Sequence, residues 1–430
     1  MRAFDTIKFM NRRMLRCVLS LFAMGPGLAV SGVAQANFEL KDGDRVVFYG
    51  DSVTQAQPGY PLFIEGYVMT RFPHLHVWFA NSGMYGDTVS GGETGSIDVR
   101  LQRDVIDLKP TVVTVMLGLN DGATKPWDDA RFATFAAGYK HIVDSLRRAL
   151  PEARIFLLLS SPYDDVTRPP DFKGGYNAVL TKYNQFVKSL GQREHLTVVD
   201  VNRPLMEMLK MAKASNPQVA REIIPDRIHP GPGGHLIIAQ SLLQAWNAPG
   251  TVAAVEIDAG AKRLVRADNA EVTDLHFGSS VTWTETDRAI PFQVGKYDDA
   301  SEFAMQNSGF IDALDKEPLK VTGLEGRLYS IAIDGEVVGK CTGQQLREGI
   351  NLAVVGTPMV KQSLAVYVLT VRHDRFRYWS WREIHIELDR YNLPHERAVV
   401  DGLDKLDDDI LQAARISAQP KPRHYTLTPE

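Results

Sequence analysis

The chain reads as an α/β protein built on a parallel sheet flanked by helices, followed by a β-rich part and terminal helices. Three observations carry this reading. Nearly continuous apolar strands alternate with amphipathic helical stretches as far as Trp246. Clusters of Gly, Asn, Asp and Ser follow the first three strands, at the end where an open α/β sheet presents its chemistry. Beyond Pro249-Gly250 the pattern changes to short runs separated by turn residues.

The first strand is Val46–Tyr49, which runs straight into Gly50-Asp51-Ser52, and a helical pattern follows through Leu62, Ile64, Val68 and Met69. Val77–Ala80 is the second strand, followed by helical spacing from Ile97 to Leu108. Thr111–Leu117, almost wholly β-branched or apolar, is the third. A long amphipathic helix comes next, with Phe132, Phe135, Tyr139, Ile142, Val143 and Leu146 on one stripe. Ile155–Leu159 is the fourth strand and Tyr176 to Leu190 the helix after it. Leu196–Val199 is the fifth strand, and Leu236 to Trp246 is a closing helix.

Length implies two domains, or one with large additions: the chain has 430 residues, against an ordinary domain of about 100–200. The expected division is 1–36, 37–248, 249–356 and 357–430. Val255 to Phe292 reads as short strands with a turn at Ala267-Asp268-Asn269, and Tyr329–Ile333 alternates toward an Asp334-Gly335 hairpin turn. Together these suggest a small β-sandwich. Pro358 to Ile386 is helical in pattern and dense in Arg, Trp and Tyr, and an acidic helix from Pro394 to Ile416 follows. Such an aromatic–basic stripe fits packing on a neighbouring domain better than a sugar or anion surface. Composition gives no sign of disorder except in the last dozen residues.

The first 36 residues read as a secretory signal peptide. Arg12, Arg13 and Arg16 precede an apolar run from Cys17 to Val33, and Ala34-Gln35-Ala36 supplies a small-residue cleavage site. Gly25, Pro26, Gly27 and Gly32 interrupt a run already short for a membrane anchor. The mature protein is thus expected to be secreted or periplasmic, with no membrane span. Losing five basic residues and one acidic residue moves the formal net charge from −4 to −8. That balance argues against nucleic acid and anionic membrane surfaces as partners. Of the two cysteines only Cys341 remains, which excludes an intramolecular disulfide and a paired-cysteine metal or redox site.

Four stretches carry the chemistry. They are Gly50-Asp51-Ser52, Asn81-Ser82-Gly83-Met84-Tyr85-Gly86-Asp87-Thr88, Gly118-Leu119-Asn120-Asp121-Gly122 and Pro225-Asp226-Arg227-Ile228-His229-Pro230. Each alone could be turn chemistry. Together they supply a nucleophile, a flexible backbone donor, a side-chain amide and an acid–histidine pair, the set that acyl transfer needs. Gly278-Ser279-Ser280 imitates the first stretch but has no acid–histidine block after it. His235 reads as a polar helix-start residue, and His74 and His76 as surface or edge residues. Trp127, Tyr163 and Arg168 lie in loops after the third and fourth strands, where they could equally line a substrate cleft or pack structurally. The long Ser161–Gly175 loop, stiffened by Pro162, Pro169 and Pro170, stands at the same edge.

In these four blocks and their order, Asp44 to Trp246 resembles the GDSL, or SGNH, hydrolases. The resemblance implies a flavodoxin-like SGNH fold with Ser52 as nucleophile, His229 as general base and Asp226 orienting His229. It implies an oxyanion hole from the backbone amides of Ser52 and Gly86 and the side chain of Asn120. Gly83 competes for the glycine role, though Gly86 fits the family's spacing to Asp87-Thr88 better. Val53 stands where the family name has leucine. The Gly-x-Ser-x-Gly elbow of the α/β-hydrolases is missing, because Thr54 occupies the second glycine position. No metal or other cofactor is required by this scheme. The expectation is a serine esterase acting on a small-molecule or polysaccharide ester, most readily a short-chain acetyl carbohydrate ester. The alternatives are a lipase or thioesterase of the same family, or an inactive carbohydrate-binding protein on this fold.

Overall fold

The structure is a computed structural model that describes residues 38–389, 391 and 393–430. The expected signal peptide lies outside the described residues. Five strands form the first sheet: β1 (Arg45–Gly50), β2 (Trp78–Gly83), β3 (Val112–Met116), β4 (Arg154–Leu158) and β5 (Thr197–Val199). Their spatial order is β2-β1-β3-β4-β5 and every pairing is parallel. The chain leaves β1 toward one edge and returns past it to β3, so the topological switch point lies between these two strands. Helices cover both faces, which is why Val46, Val47, Phe48 and Tyr49 are all inaccessible to water and their run shows no alternation.

The helices of this part are α1 (Ser52–Gln55), α2 (Tyr60–Arg71), α3 (Ile97–Asp104), α4 (Asp129–Ala149), α5 (Tyr176–Glu194), α6 (Asn202–Ser215), α7 (Pro217–Ile223) and α8 (Pro232–Ala245). Helix α4 starts where Asp128 accepts the Arg131 N–H (2.8 Å) and buries Phe135, Tyr139, Ile142, Val143 and Leu146. Each such side chain contributes about 1.5–3 kcal/mol on leaving water. Phe132, assigned to the same stripe, is only partly covered, at the rim of the core. Helices α6 and α7 were not expected from the sequence. Strand β2 also runs three residues further than expected, so Asn81-Ser82-Gly83 is strand and the loop begins at Met84. Gly50 and Gly83 are opposed at the end of that pairing.

Helix α2 is buried on all sides, including its charged residues. Glu65 pairs with His373 (2.7 Å), and Arg71 pairs with Asp315 (3.1 Å) and donates to the Leu314 carbonyl (2.9 Å). Buried charges need partners, and both partners come from beyond residue 250. The C-terminal half is therefore packed onto the parallel-sheet half rather than tethered beside it.

That half contains β6 (Ala254–Asp258), β7 (Arg263–Asp268), β8 (Ala270–Phe277), β9 (Val281–Asp287), β10 (Pro318–Thr322), β11 (Leu328–Ile333), β12 (Glu336–Thr342), β13 (Ile350–Asn351) and β14 (Arg423–Pro429). They make a five-stranded sheet, β8-β9-β14-β11-β12, and a four-stranded one, β13-β10-β6-β7. Val255, Ile257 and Val321 of one sheet share a core with Trp283, Ile331, Tyr425 and Leu427 of the other. The β11–β12 turn has positive φ at both Asp334 (52°) and Gly335 (82°), the conformation an Asp-Gly hairpin selects. Short helices α9 (Asp299–Asn307), α10 (Phe310–Leu314) and α11 (Gly343–Glu348) lie between strands. Helix α12 (Pro358–Tyr378) continues into a π-helical segment, Trp379–Ile386, and α13 (Glu396–Ala418) packs beside it. One expectation is corrected here. The tail after residue 418, grouped with the terminal helices, forms β14 and lies in the middle of the five-stranded sheet, paired with β9 and β11.

Candidate active site

Ser52 follows β1 as the first residue of α1, and Asp51 caps that helix by accepting the Val53 N–H (2.9 Å). The cap fixes the strand-to-helix turn, so the serine stands at the carboxyl end of the sheet beside the switch point. Ser52 Oγ lies 2.9 Å from His229 Nε2, and His229 Nδ1 lies 2.6 Å from Asp226 Oδ2. A carboxylate accepts, so His229 donates from Nδ1 and offers Nε2 to the serine proton. Asp226 Oδ1 also accepts the backbone N–H groups of Ile228 (3.0 Å) and His229 (2.7 Å). Partial burial raises the Asp226 carboxyl, but these bonds outweigh it and hold the group below its usual value, hence ionised.

The Asp226–His229 loop is held by the long loop before α5. Arg168 donates to the carbonyls of Ile224 (3.1 Å) and Pro225 (2.5 Å), and Asp164 N–H donates to the Arg227 carbonyl (2.9 Å). Arg227, at φ 75°, donates to the Pro169 carbonyl (2.9 Å) and lies 5.8 Å from the Tyr163 ring centre. Tyr163 and Arg168 thus support this loop and do not line the cavity at Ser52. Trp127 is likewise away from it, packed on Phe132 with its indole N–H on Asp129 (2.8 Å).

The second and third blocks meet across the switch point. Asn120 Nδ2 donates to the Asp87 carbonyl (2.9 Å), and Asp121 Oδ1 accepts the Val89 N–H (3.1 Å). Asp87 is paired with buried Arg100 (2.7 Å), which also pairs with Asp104. An amide has two N–H groups, so Asn120 keeps one beyond its bond to Asp87. Gly83 N–H is taken by Asn81 Oδ1 (3.0 Å), and a Cβ at Gly83 would meet Gln55 N at 2.3 Å. Gly86 instead sits at φ 75° with open space around it. Burial pushes Asp51 up to about 7 and Asp121 up to about 6, and raises Asp87 too.

A cavity of about 370 Å³ opens on Ser52 and His229. Val53, Ala56, Gln55 and Gln57 form one wall, Tyr85 lies over His229 (ring centres 6.5 Å), and Tyr378 comes from α12. Buried His235 completes it, held uncharged because burial lowers it to about 3, with Nδ1 accepting the Tyr60 N–H (3.3 Å). Sequence reasoning missed Gln55, Gln57, Tyr85 and Tyr378 as cavity residues. Tyr85 stood within the second stretch and Tyr378 within the aromatic–basic stripe read as packing. A second cavity of about 350 Å³, between Arg45, Trp78, Arg377 and Asp404, lies at the amino-terminal ends of β1 and β2, away from Ser52. Ser280 bonds Thr428 (3.1 Å) at the β8–β9 turn, and His76 pairs with Asp42 (2.9 Å). Among the described residues no group of His, Cys, Asp and Glu is disposed to hold a metal ion, and no helix is long and apolar enough to cross a membrane.

Residues 48–237 match the model of the GDSL-like lipase/acylhydrolase family. This domain belongs to the GDSL/SGNH hydrolase superfamily. The hydrolase is a carboxylic ester hydrolase. It is 24% identical over 227 residues to an acetylxylan esterase from Geobacillus stearothermophilus, covering 48% of this chain and 95% of that one. The solved structure of that organism's acetylxylan esterase Axe2 is 23% identical, covering 48% of this chain and 96% of that one, with a TM-score of 0.40. A gut microbial diltiazem-metabolizing enzyme matches over 92% of this chain and 100% of its own, at 24% identity and a TM-score of 0.79. That likeness extends the shared fold through the C-terminal sheets and helices.

Proposed function

We propose that the hydrolase cleaves esters through an acyl-enzyme on Ser52, and that its substrate is a short-chain, acetyl-type carbohydrate ester met outside the cytoplasm. The observation that carries the mechanism is the continuous Asp226–His229–Ser52 contact at the switch point, opening on a cavity. His229 Nε2 takes the Ser52 proton as Oγ attacks the ester carbonyl, and ionised Asp226 stabilises the imidazolium that forms. The backbone N–H groups of Ser52 and Gly86 and the free N–H of Asn120 receive the negative charge on the carbonyl oxygen. Collapse of that intermediate passes the proton from His229 to the departing alcohol. Water then attacks the acyl-serine by the same relay and releases the acid.

The acetyl preference is supported by the acetylxylan esterase relative. Export is supported by the signal-like N-terminal sequence. A fluorophosphonate probe should label the protein once, and Ser52→Ala should abolish both labelling and turnover of p-nitrophenyl acetate. Labelling that persists in Ser52→Ala would remove Ser52 from the mechanism. Acetylated xylan left untouched by an enzyme that turns over p-nitrophenyl acetate would exclude that polymer as substrate.

A further inference from the structure

The cavity at Ser52 is not built by the hydrolase fold alone. Tyr378, the last residue of α12, also lines it, and its hydroxyl accepts the side-chain N–H of Gln55 (2.9 Å). Gln55 lies three residues after Ser52, at the end of α1. Gln57 donates to the carbonyl (3.2 Å) and carboxyl (3.0 Å) oxygens of Asp374, one turn before Tyr378 on the same face of α12. Two residues of the loop after the serine are thus fastened to two successive turns of one C-terminal helix.

That helix is held rigidly on both sides of Tyr378. Before it, buried His373 bridges Glu65 (2.7 Å) of α2 and Asp407 (3.2 Å) of α13. After it, the Trp381 indole N–H donates to buried Asp104 (3.0 Å), and the Arg382 guanidinium lies 5.8 Å from the Tyr378 ring centre. The chain on either side of Tyr378 is thus anchored to the parallel-sheet half. We propose that Tyr378 is a specificity-determining wall of the Ser52 cavity, setting the largest ester group that the hydrolase accepts. The inference rests on the reading of Ser52 as the nucleophile, because it concerns what fits beside that atom.

The test compares the full chain with Tyr378→Phe and Tyr378→Ala on two substrate series. One lengthens the acyl group (p-nitrophenyl acetate, butyrate, hexanoate), and the other enlarges the alcohol (ethyl, phenyl and 2-naphthyl acetate). A pocket that rejects a single methylene discriminates by about 10–200-fold. Tyr378→Ala should therefore raise the large-to-small ratio of kcat/KM by about tenfold or more in one series, and that series identifies the part of the ester facing the ring. Tyr378→Phe keeps the ring and should keep the parent's ratios. Unchanged ratios in both series for a folded Tyr378→Ala overturn the proposal. So does a Tyr378→Phe effect as large as that of Ala, because the role would then belong to the bond with Gln55. If Tyr378→Ala does not fold, Tyr378→Leu and Tyr378→Trp must move the ratio in opposite directions, and any other result overturns the proposal. Failure of the underlying reading is separate: it appears as parent-level acetate turnover in Ser52→Ala, whatever the ratios do.

Discussion

Asn120 offers the sharpest test of the proposed oxyanion hole, because its amide has one N–H engaged within the fold and a second left over. One N–H bonds the Asp87 carbonyl at 2.9 Å, and the other is the one proposed to meet negative charge at Ser52. Asn120→Ala removes both. The first loss costs stability of about 1 kcal/mol, the net worth of an ordinary hydrogen bond. In a chain of this size that lowers the melting temperature by only about 2–4 °C or less. The loop does not collapse with it, since Asp121 still holds Val89 (3.1 Å) and Arg100 still holds Asp87 (2.7 Å). The second loss falls on the transition state and should cost about 2.7–4 kcal/mol, or roughly 10²–10³ in kcat, with KM little changed. Asn120→Asp should be at least as damaging, because it replaces a donor with a charge that repels the oxyanion. Steady-state kinetics on a short ester and thermal melts of both variants decide the matter. A folded Asn120→Ala with kcat within about tenfold of the parent, under ~1.4 kcal/mol, would refute the role and leave the hole to the backbone alone.

Two further predictions concern the C-terminal half. Asp287 is buried beside Glu285 and Glu317, and burial, then their charges, hold its carboxyl well above the ordinary value of 3.8. A raised carboxyl stabilises the fold fully below its unfolded value and loses that contribution as pH rises through the folded one, so Asp287→Asn should raise the melting temperature more at pH 8 than at pH 4; an equal change at both would refute the coupling. Deleting Lys421–Glu430 removes β14 from between β9 and β11, and should give an insoluble protein or one without a cooperative melt; a soluble deletion with the parent's melt and activity would show that the strand is dispensable.

Much of the first half was legible because its signals are local. The run Val46–Tyr49 is apolar without alternation because helices cover both faces of β1, and the spacing of Phe135, Tyr139, Ile142 and Leu146 is the period of a helix lying on a sheet. The parallel sheet and its turn-rich strand ends could therefore be read from windows of about ten residues. Helices α6 and α7 went unread, although Leu205, Met208, Leu209 and Ala212 of α6 keep the helical period. The sequence alone also determined which residue types stand past each strand, and hence which chemistry they could perform. Their assembly at one point was decided by the order β2-β1-β3, which sets the Ser52, Gly86 and Asn120 loops side by side. The tertiary structure alone decided the rest. Tyr378 reaches Gln55 across 323 positions of chain, and Tyr425 and Leu427 find a core whose other strands lie far earlier. No local period records such pairings, because they are selected by the complementarity of surfaces that exist only once each part has folded. Glu65 and Arg71 on an otherwise apolar helix were the nearest trace of them, since a buried charge requires a partner without naming where in the chain it lies.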